Sequence, residues 1–218
     1  MSTPVPQRRI VSFDLDGTLV ETTYTNWVWE VGVPELYAKK NGISLEAATA
    51  LIVAQYQSVG DESTIWYDIG YWFNLLDLPG TWQDLLDRNR EKIRLFPEAV
   101  EVLEALRSRY ELIITSNAAR EFVEREVGKT GIANYFSRII SATSDFRQVK
   151  KTADFYEKLC TVIGTDPARL IHVGDHVEHD FKAPRKIGIQ AYHLDRDGGP
   201  ATSSHCVSDL REFARLLV

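Results

Sequence analysis

Sulfur is scarce in this chain, with two cysteines and one methionine among 218 residues. Cys160 and Cys206 allow at most one disulfide, which excludes a cysteine-stapled secreted scaffold. Positive charge is not in excess. There are 25 basic and 31 acidic residues, a net charge of −6, which argues against a general nucleic-acid or anionic-membrane binder. No stretch approaches the roughly 18 consecutive apolar residues of a membrane span. Met1 to Ile10 (MSTPVPQRRI) lacks the apolar centre of a signal peptide. Low-complexity sequence is missing too: apolar residues make up 44% and charged residues 26%, which removes the disordered and collagen-like classes. No internal repeat is present. A soluble, cytoplasmic globular protein is expected, monomeric or homodimeric, with one large domain or one domain plus a smaller insertion.

What is present is unevenly spread. All five tryptophans fall between positions 20 and 92, and all five histidines lie from His172 onward. The segment 20–92 holds 11 acids and 5 bases, so the whole negative balance sits there. Ile10 to Leu15 (IVSFDL) is a short apolar run ending at an Asp-Gly breaker, hence a buried strand. About seventy residues follow with helical patterns near 26–40, 44–58, 63–77 and 82–95. Then strands alternate with helices. Glu111 to Ser116, Phe136 to Ala142, Leu170 to Gly174 and Ile189 to Leu194 read as strands. Pro97 opens a helix with Val100, Leu103, Ala105 and Leu106 on its apolar side, another lies between the first two of these strands, and 152–163 and 180–187 read as helices. This alternation predicts an α/β fold, a Rossmann-like parallel sheet with helices on both faces. Residues 1–19 and 93–218 form that core, and 20–92 an inserted α-helical unit.

In open parallel sheets, ligands bind beyond the carboxyl ends of the strands. Those ends carry Asp14-Leu15-Asp16-Gly17-Thr18-Leu19, Thr115-Ser116-Asn117 and Gly174-Asp175, with Asp180 five residues later and Lys150 after the third strand. Carboxylates, a hydroxyl, an amide and an amine converge there with no hydrophobic purpose. Asp14, Asp16 and Asp175 gather negative charge that requires protonation or a cation. All-oxygen ligands suit Mg²⁺, which favours a few carboxylates together with substrate phosphate oxygens. An Asp is a known covalent nucleophile for phosphoryl groups, and Lys150 and Ser116 suit the charge on the phosphoryl oxygens.

These four clusters, in this order, resemble the motifs of the haloacid dehalogenase superfamily of phosphohydrolases over essentially the full chain. The first motif, DxDGT[LV], is matched by Asp14 to Leu19, the second by Ile113 to Asn117, the third by Lys150, and the fourth, GDxxxxD, by Gly174, Asp175 and Asp180. The resemblance implies a Mg²⁺-dependent phosphatase acting on a small phosphorylated metabolite, with segment 20–92 as the family's helical cap. It implies Asp14 as nucleophile and metal ligand, and Asp16 as general acid and base with its carbonyl on the metal. Asp175 is a further metal ligand, Ser116, Asn117 and Lys150 hold the phosphoryl group, and Thr18 and Asp180 support from behind. Two positions depart from the pattern: Lys151 follows the motif lysine where Pro is common, and His176 follows Gly-Asp where a small residue is common.

Other features read more plainly. Lys151 fits a solvated surface residue, His172 a hydrogen-bonded core residue, and Asn117 a helix N-cap as well as a ligand. The histidines and cysteines lack a zinc-ligand spacing. Trp27, Tyr37, Tyr56 and Trp82 fall on apolar helical faces and read as packing. Trp66, Tyr67, Tyr71 and Trp72 are denser than one face requires, so at least one is expected to line a substrate cavity. A dehalogenase, a phosphosugar mutase and a non-catalytic binding member stay open as alternatives, though an acid at Asp16 favours the phosphatase because a halide leaves without a proton.

Overall fold

The computed structural model describes residues 8–198 and 205–218. Met1 to Gln7, most of the segment read above as lacking a signal peptide's apolar centre, lie outside the described residues. Six strands form one parallel sheet: β1 (Ile10–Phe13), β2 (Glu111–Ser116), β3 (Arg138–Ser141), β4 (Leu170–Gly174), β5 (Gln190–Leu194) and β6 (Cys206–Val207). Their order is β3-β2-β1-β4-β5-β6. The chain builds outward from β1 in one direction and then in the other, so β1 and β4 flank the point where the order reverses, where parallel sheets open a crevice.

Strand alternation divides the core between the two faces. Val11, Phe13, Leu112, Ile114, Ile171 and Val173 pack into one cluster, and Ile10, Ile113, Ile140 and Leu170 into the other. The second face is covered by the helix Ala153–Ile163 through Phe155, Tyr156, Leu159 and Cys160. The first is covered by the helices Ala99–Arg107, Arg120–Thr130 and Leu210–Arg215. No helix among the described residues is long and apolar enough to cross a membrane.

Between β1 and β2 the chain is helical, as its periodicity predicts. Thr23–Trp27 runs through a π-helical turn, Val28–Gly32, into Val33–Asn41, and Gly42 ends it with a left-handed φ of 64°. Ser44 accepts the Ala47 N–H and starts Leu45–Val59. The pattern at 63–77 is not one helix. The Asp68 side chain accepts the Tyr71 N–H, so a 3₁₀ turn, Thr64–Tyr67, ends there and Ile69–Leu75 begins. The fourth pattern also ends early, at Arg88 in Trp82–Arg88, because Leu95 turns to bridge Val20 beside β1. The short strand β6, the helix Ala142–Phe146 and the last helix Leu210–Arg215, capped by Asp209, were not anticipated. Each is too short for periodicity to register.

One aromatic expectation is corrected here. Trp72 is fully buried, with Tyr56 edge-on at 4.7 Å and its indole N–H donated to the Trp66 carbonyl at 3.0 Å. It belongs to the core. Trp72→Ala is therefore expected to cost about 3–5 kcal/mol of stability, read as a lower urea midpoint. A loss of substrate selectivity at unchanged stability would contradict this.

Candidate active site

The sheet register sets the site. Phe13 lies beside Ile114 on one side and Val173 on the other, so the next residue, Asp14, emerges between the ends of β2 and β4. Its N–H is still held by the Val173 carbonyl at 2.9 Å. The loop after it reverses at Gly17, whose φ is 75°. A Cβ at Gly17 would stand 2.2 Å from Asp175 Oδ2, so no larger residue fits against that carboxylate. Arg196, stacked 3.4 Å over the Phe96 ring, pins this loop. It donates to the carbonyls of Gly17 (3.2 Å) and Thr18 (2.8 Å) and pairs with the buried Glu98 at 2.7 Å. Thr18 is buried under the loop.

The lysine expectation is corrected. Lys151, 1% exposed, enters the site, where its ammonium contacts Asp14 and Asp180 and donates to the Thr115 carbonyl at 3.0 Å. Lys150 points the other way, pairing with Asp61 at 3.1 Å and with Glu62. Neighbouring residues of a non-helical stretch project to opposite sides, so only one of the two lysines reaches the carboxylates. Burial opposes the charge on Lys151, yet Asp14 and Asp180 together hold it above its ordinary pKa.

A polar chain runs beneath the carboxylates. Asp180 accepts from His172 Nε2 at 3.0 Å and from the His176 N–H at 3.0 Å. His172 Nδ1 accepts from Ser12 at 2.9 Å, and Ser12 and Thr115 share a hydroxyl contact of 2.8 Å. Burial pushes the His172 pKa down, keeping the ring neutral and its Nε2 proton on Asp180. Asp180 itself is desolvated, but Lys151 and His172 hold its carboxyl well below the usual range. Gly174 makes room for it, since a Cβ there would meet Asp180 Cγ at 2.4 Å. His172 is thus a core residue, as expected. The exposed His176 ring accepts the N–H groups of Glu178 and His179, capping the following turn.

Carboxylate oxygens of Asp14, Asp175 and Asp180 lie within 4.8 Å of one another. An all-oxygen set of this density fits a hard divalent cation. Asp180 is already occupied by its donors, which leaves the buried Asp14 and the exposed Asp175 as the candidate ligands. Burial raises Asp14 well above the carboxylate range against the pull of Lys151. Surrounding protein, with the charge on Asp180, raises Asp175 to about 6.

Asp16 is half-buried and accepts from Thr25 Oγ1 at 3.1 Å. Burial raises its pKa. The carboxyl of Glu126, 0% exposed, stands beside it, with neither oxygen meeting a donor. Desolvation and then Asp16 keep Glu126 protonated far above its usual range. No motif marks Glu126, although it falls on the buried stripe set by Phe122, Val123 and Val127.

Ser116 is buried and accepts the Ala118 N–H at 2.9 Å, which leaves its own proton for a ligand. Asn117 has a buried amide oxygen without a partner. It is not an N-cap, because Ala119 takes that position before Arg120–Thr130. Tyr67 lines a cavity of about 400 Å³ with Asp68, Ala119, Thr143 and Arg147. Trp66 lines an apolar one of about 920 Å³ with Trp29, Tyr56 and Asp61. Tyr71 packs edge-on against Trp72 at 5.3 Å.

A family model, haloacid dehalogenase-like hydrolase, matches residues 9–188. The chain is 26% identical over 184 residues to the GMP/IMP nucleotidase YrfG of Escherichia coli K12, covering 83% of this chain and 79% of that protein. It is 27% identical over 130 residues to the phosphoserine phosphatase of Thermus thermophilus, covering 57% and 52%. A crystal structure of a HAD phosphatase from Thermococcus onnurineus superposes with a TM-score of 0.83 at 24% identity, over 96% of this chain and 97% of that one.

Proposed function

The chain belongs to the haloacid dehalogenase-like hydrolases and is a phosphoric monoester hydrolase, and from that premise we propose that it cleaves a small phosphorylated metabolite through an aspartyl-phosphate on Asp14. The observation that carries this reading is the buried Asp14 carboxylate held by Lys151 at the switch point of the sheet. Asp14, Asp175 and the Asp16 carbonyl would hold Mg²⁺, which would supply Lewis-acid stabilisation of charge on the phosphoryl oxygens. Lys151 neutralises Asp14 and orients it, and Ser116 and Asn117 hold the phosphoryl oxygens. A bond forms from an Asp14 oxygen to phosphorus as the bond to the leaving oxygen breaks, and Asp16 gives that oxygen its proton. Asp16 then takes a proton from water, which attacks the same phosphorus and frees Asp14 and phosphate.

Burial raises the pKa of Asp16, the direction that suits an acid role. A halide would need no such donor. In this reading segment 20–92 acts as a cap over the core formed by 1–19 and 93–218, and Trp66 and Tyr67 select the substrate. The nucleotidase name of the Escherichia coli relative makes purine nucleoside monophosphates the first substrates to try. A cytoplasmic location fits such substrates.

The test is inorganic phosphate release from an alkyl and an aryl phosphate, with Mg²⁺ and with a chelator. Chelation is expected to abolish turnover, and halide release or a mutase's isomeric product in place of phosphate would reject the reading. Asp16→Asn is expected to slow the alkyl substrate by about 10²–10⁴-fold and to slow the aryl substrate less, because an aryl oxide leaves without help. Equal losses for both would reject Asp16 as the acid.

A further inference from the structure

Sheet register assembles a different set of ligands at β5 and β6. His193 pairs with Cys206 across the two strands. Side chains alternate along a strand, so Asp195, two residues on, shares the face of His193. The ladder continues through it, the Asp195 N–H reaching the Val207 carbonyl at 2.8 Å. As a result a His193 ring nitrogen, a carboxylate oxygen of Asp195 and the Cys206 sulfur lie within 4.8 Å of one another, all half-buried. Cys206 is in no disulfide.

The spacing is that of ligands on one ion. Cys206 Sγ and His193 Nδ1 are 3.7 Å apart. Zinc bonds of about 2.3 Å to sulfur and 2.0–2.1 Å to nitrogen, at a tetrahedral angle, place those two atoms about 3.6 Å apart. The ring is also held in the right tautomer. His193 Nε2 lies 3.0 Å from the Asp175 carbonyl oxygen, which can only accept. The proton is therefore on Nε2, and the Nδ1 lone pair faces Cys206. Ligating histidines are oriented in this way, with the second N–H donated to a backbone carbonyl or carboxylate.

We propose that His193, Asp195 and Cys206 form a binding site for a thiophilic divalent cation of the zinc class, with three protein ligands and a fourth position for water. The sulfur and nitrogen donors separate it chemically from the all-oxygen set of Asp14 and Asp175, which suits magnesium. The hydrogen bond from His193 to the Asp175 carbonyl joins the site to that set. It stands independently of the phosphatase reading.

The test is a titration of the full-length, reduced protein with Co²⁺ in saturating Mg²⁺, followed by Zn²⁺ in competition with a chromophoric chelator. One equivalent of Co²⁺ is expected to give a thiolate-to-metal charge-transfer band in the near ultraviolet, displaced by one equivalent of Zn²⁺. Cys206→Ser is expected to remove the band, Cys160→Ser to keep it, and His193→Ala to weaken zinc binding by about 100-fold. On the unmutated protein, Zn²⁺ is expected to protect Cys206 from alkylation, read by mass spectrometry, so the outcome holds even if a variant fails to fold. The proposal is overturned if the native chain gives no charge-transfer band, if the band survives Cys206→Ser, if Mg²⁺ displaces the metal, or if Zn²⁺ leaves Cys206 alkylation unchanged.

Discussion

Asp14→Asn is expected to lower phosphate release by roughly 10⁴–10⁶-fold, the scale seen when a covalent nucleophile is removed. An amide neither attacks phosphorus usefully nor binds a hard cation well, so two functions fail together. The fold is expected to persist. Lys151 keeps a carboxylate partner in Asp180 and its bond to the Thr115 carbonyl. Burial already works against the charge on Asp14, so the neutral isostere removes a desolvation cost along with an ion pair. Single-turnover phosphate release, with circular dichroism as the fold check, measures both. A variant that retains a hundredth of the native rate would remove Asp14 from the nucleophile role.

Replacing the two adjacent lysines is expected to give opposite outcomes. Lys151→Ala leaves Asp14 and Asp180 buried without their cation, and breaking such a pair costs about 3–5 kcal/mol. The cost is expected to grow with pH. Without Lys151 the folded pKa of Asp14 rises further above its unfolded value, so the folded state binds more protons than the unfolded one. Stability then falls as pH climbs from the unfolded pKa through the folded one. Urea unfolding of the variant near about pH 5 and about pH 8 is expected to show the larger deficit at the higher pH. Phosphate release is expected to fall with it, because Asp14 loses the ammonium that neutralises and orients it. Lys150→Ala removes contacts to two carboxylates that are mostly open to solvent, worth at most about 1 kcal/mol. A catalytic collapse in Lys150→Ala beside a normal Lys151→Ala would reverse the assignment.

The parallel α/β fold, its strands from β1 to β5 and the helical character of 20–92 were legible in the sequence. So were the carboxylates, the hydroxyl and the amide at the strand ends. These follow from local rules: apolar periodicity, Asp-Gly breakers, and the tendency of parallel strands to end in polar residues where ligands bind. Boundaries were less legible where a side chain chose between two conformations, as when Asp68 capped a second helix inside the 63–77 pattern.

What only the tertiary structure decided were the matters of direction and of meeting. Whether Lys150 or Lys151 faces Asp14 depends on which way one loop residue points, and spacing from a motif is blind to that. Glu126 lies 110 residues from Asp16 in the chain, and their meeting depends on how the helix Arg120–Thr130 packs beside the first loop. Trp72 is a core residue because its helix turns that face inward, while Trp66, six positions earlier, lines a cavity. His193 and Cys206 become partners through the register of β5 on β6, a pairing that no linear spacing encodes. The identity of a catalytic group is written in local chemistry, whereas its partners are set by long-range packing, which follows from the chain burying its apolar surface as a whole.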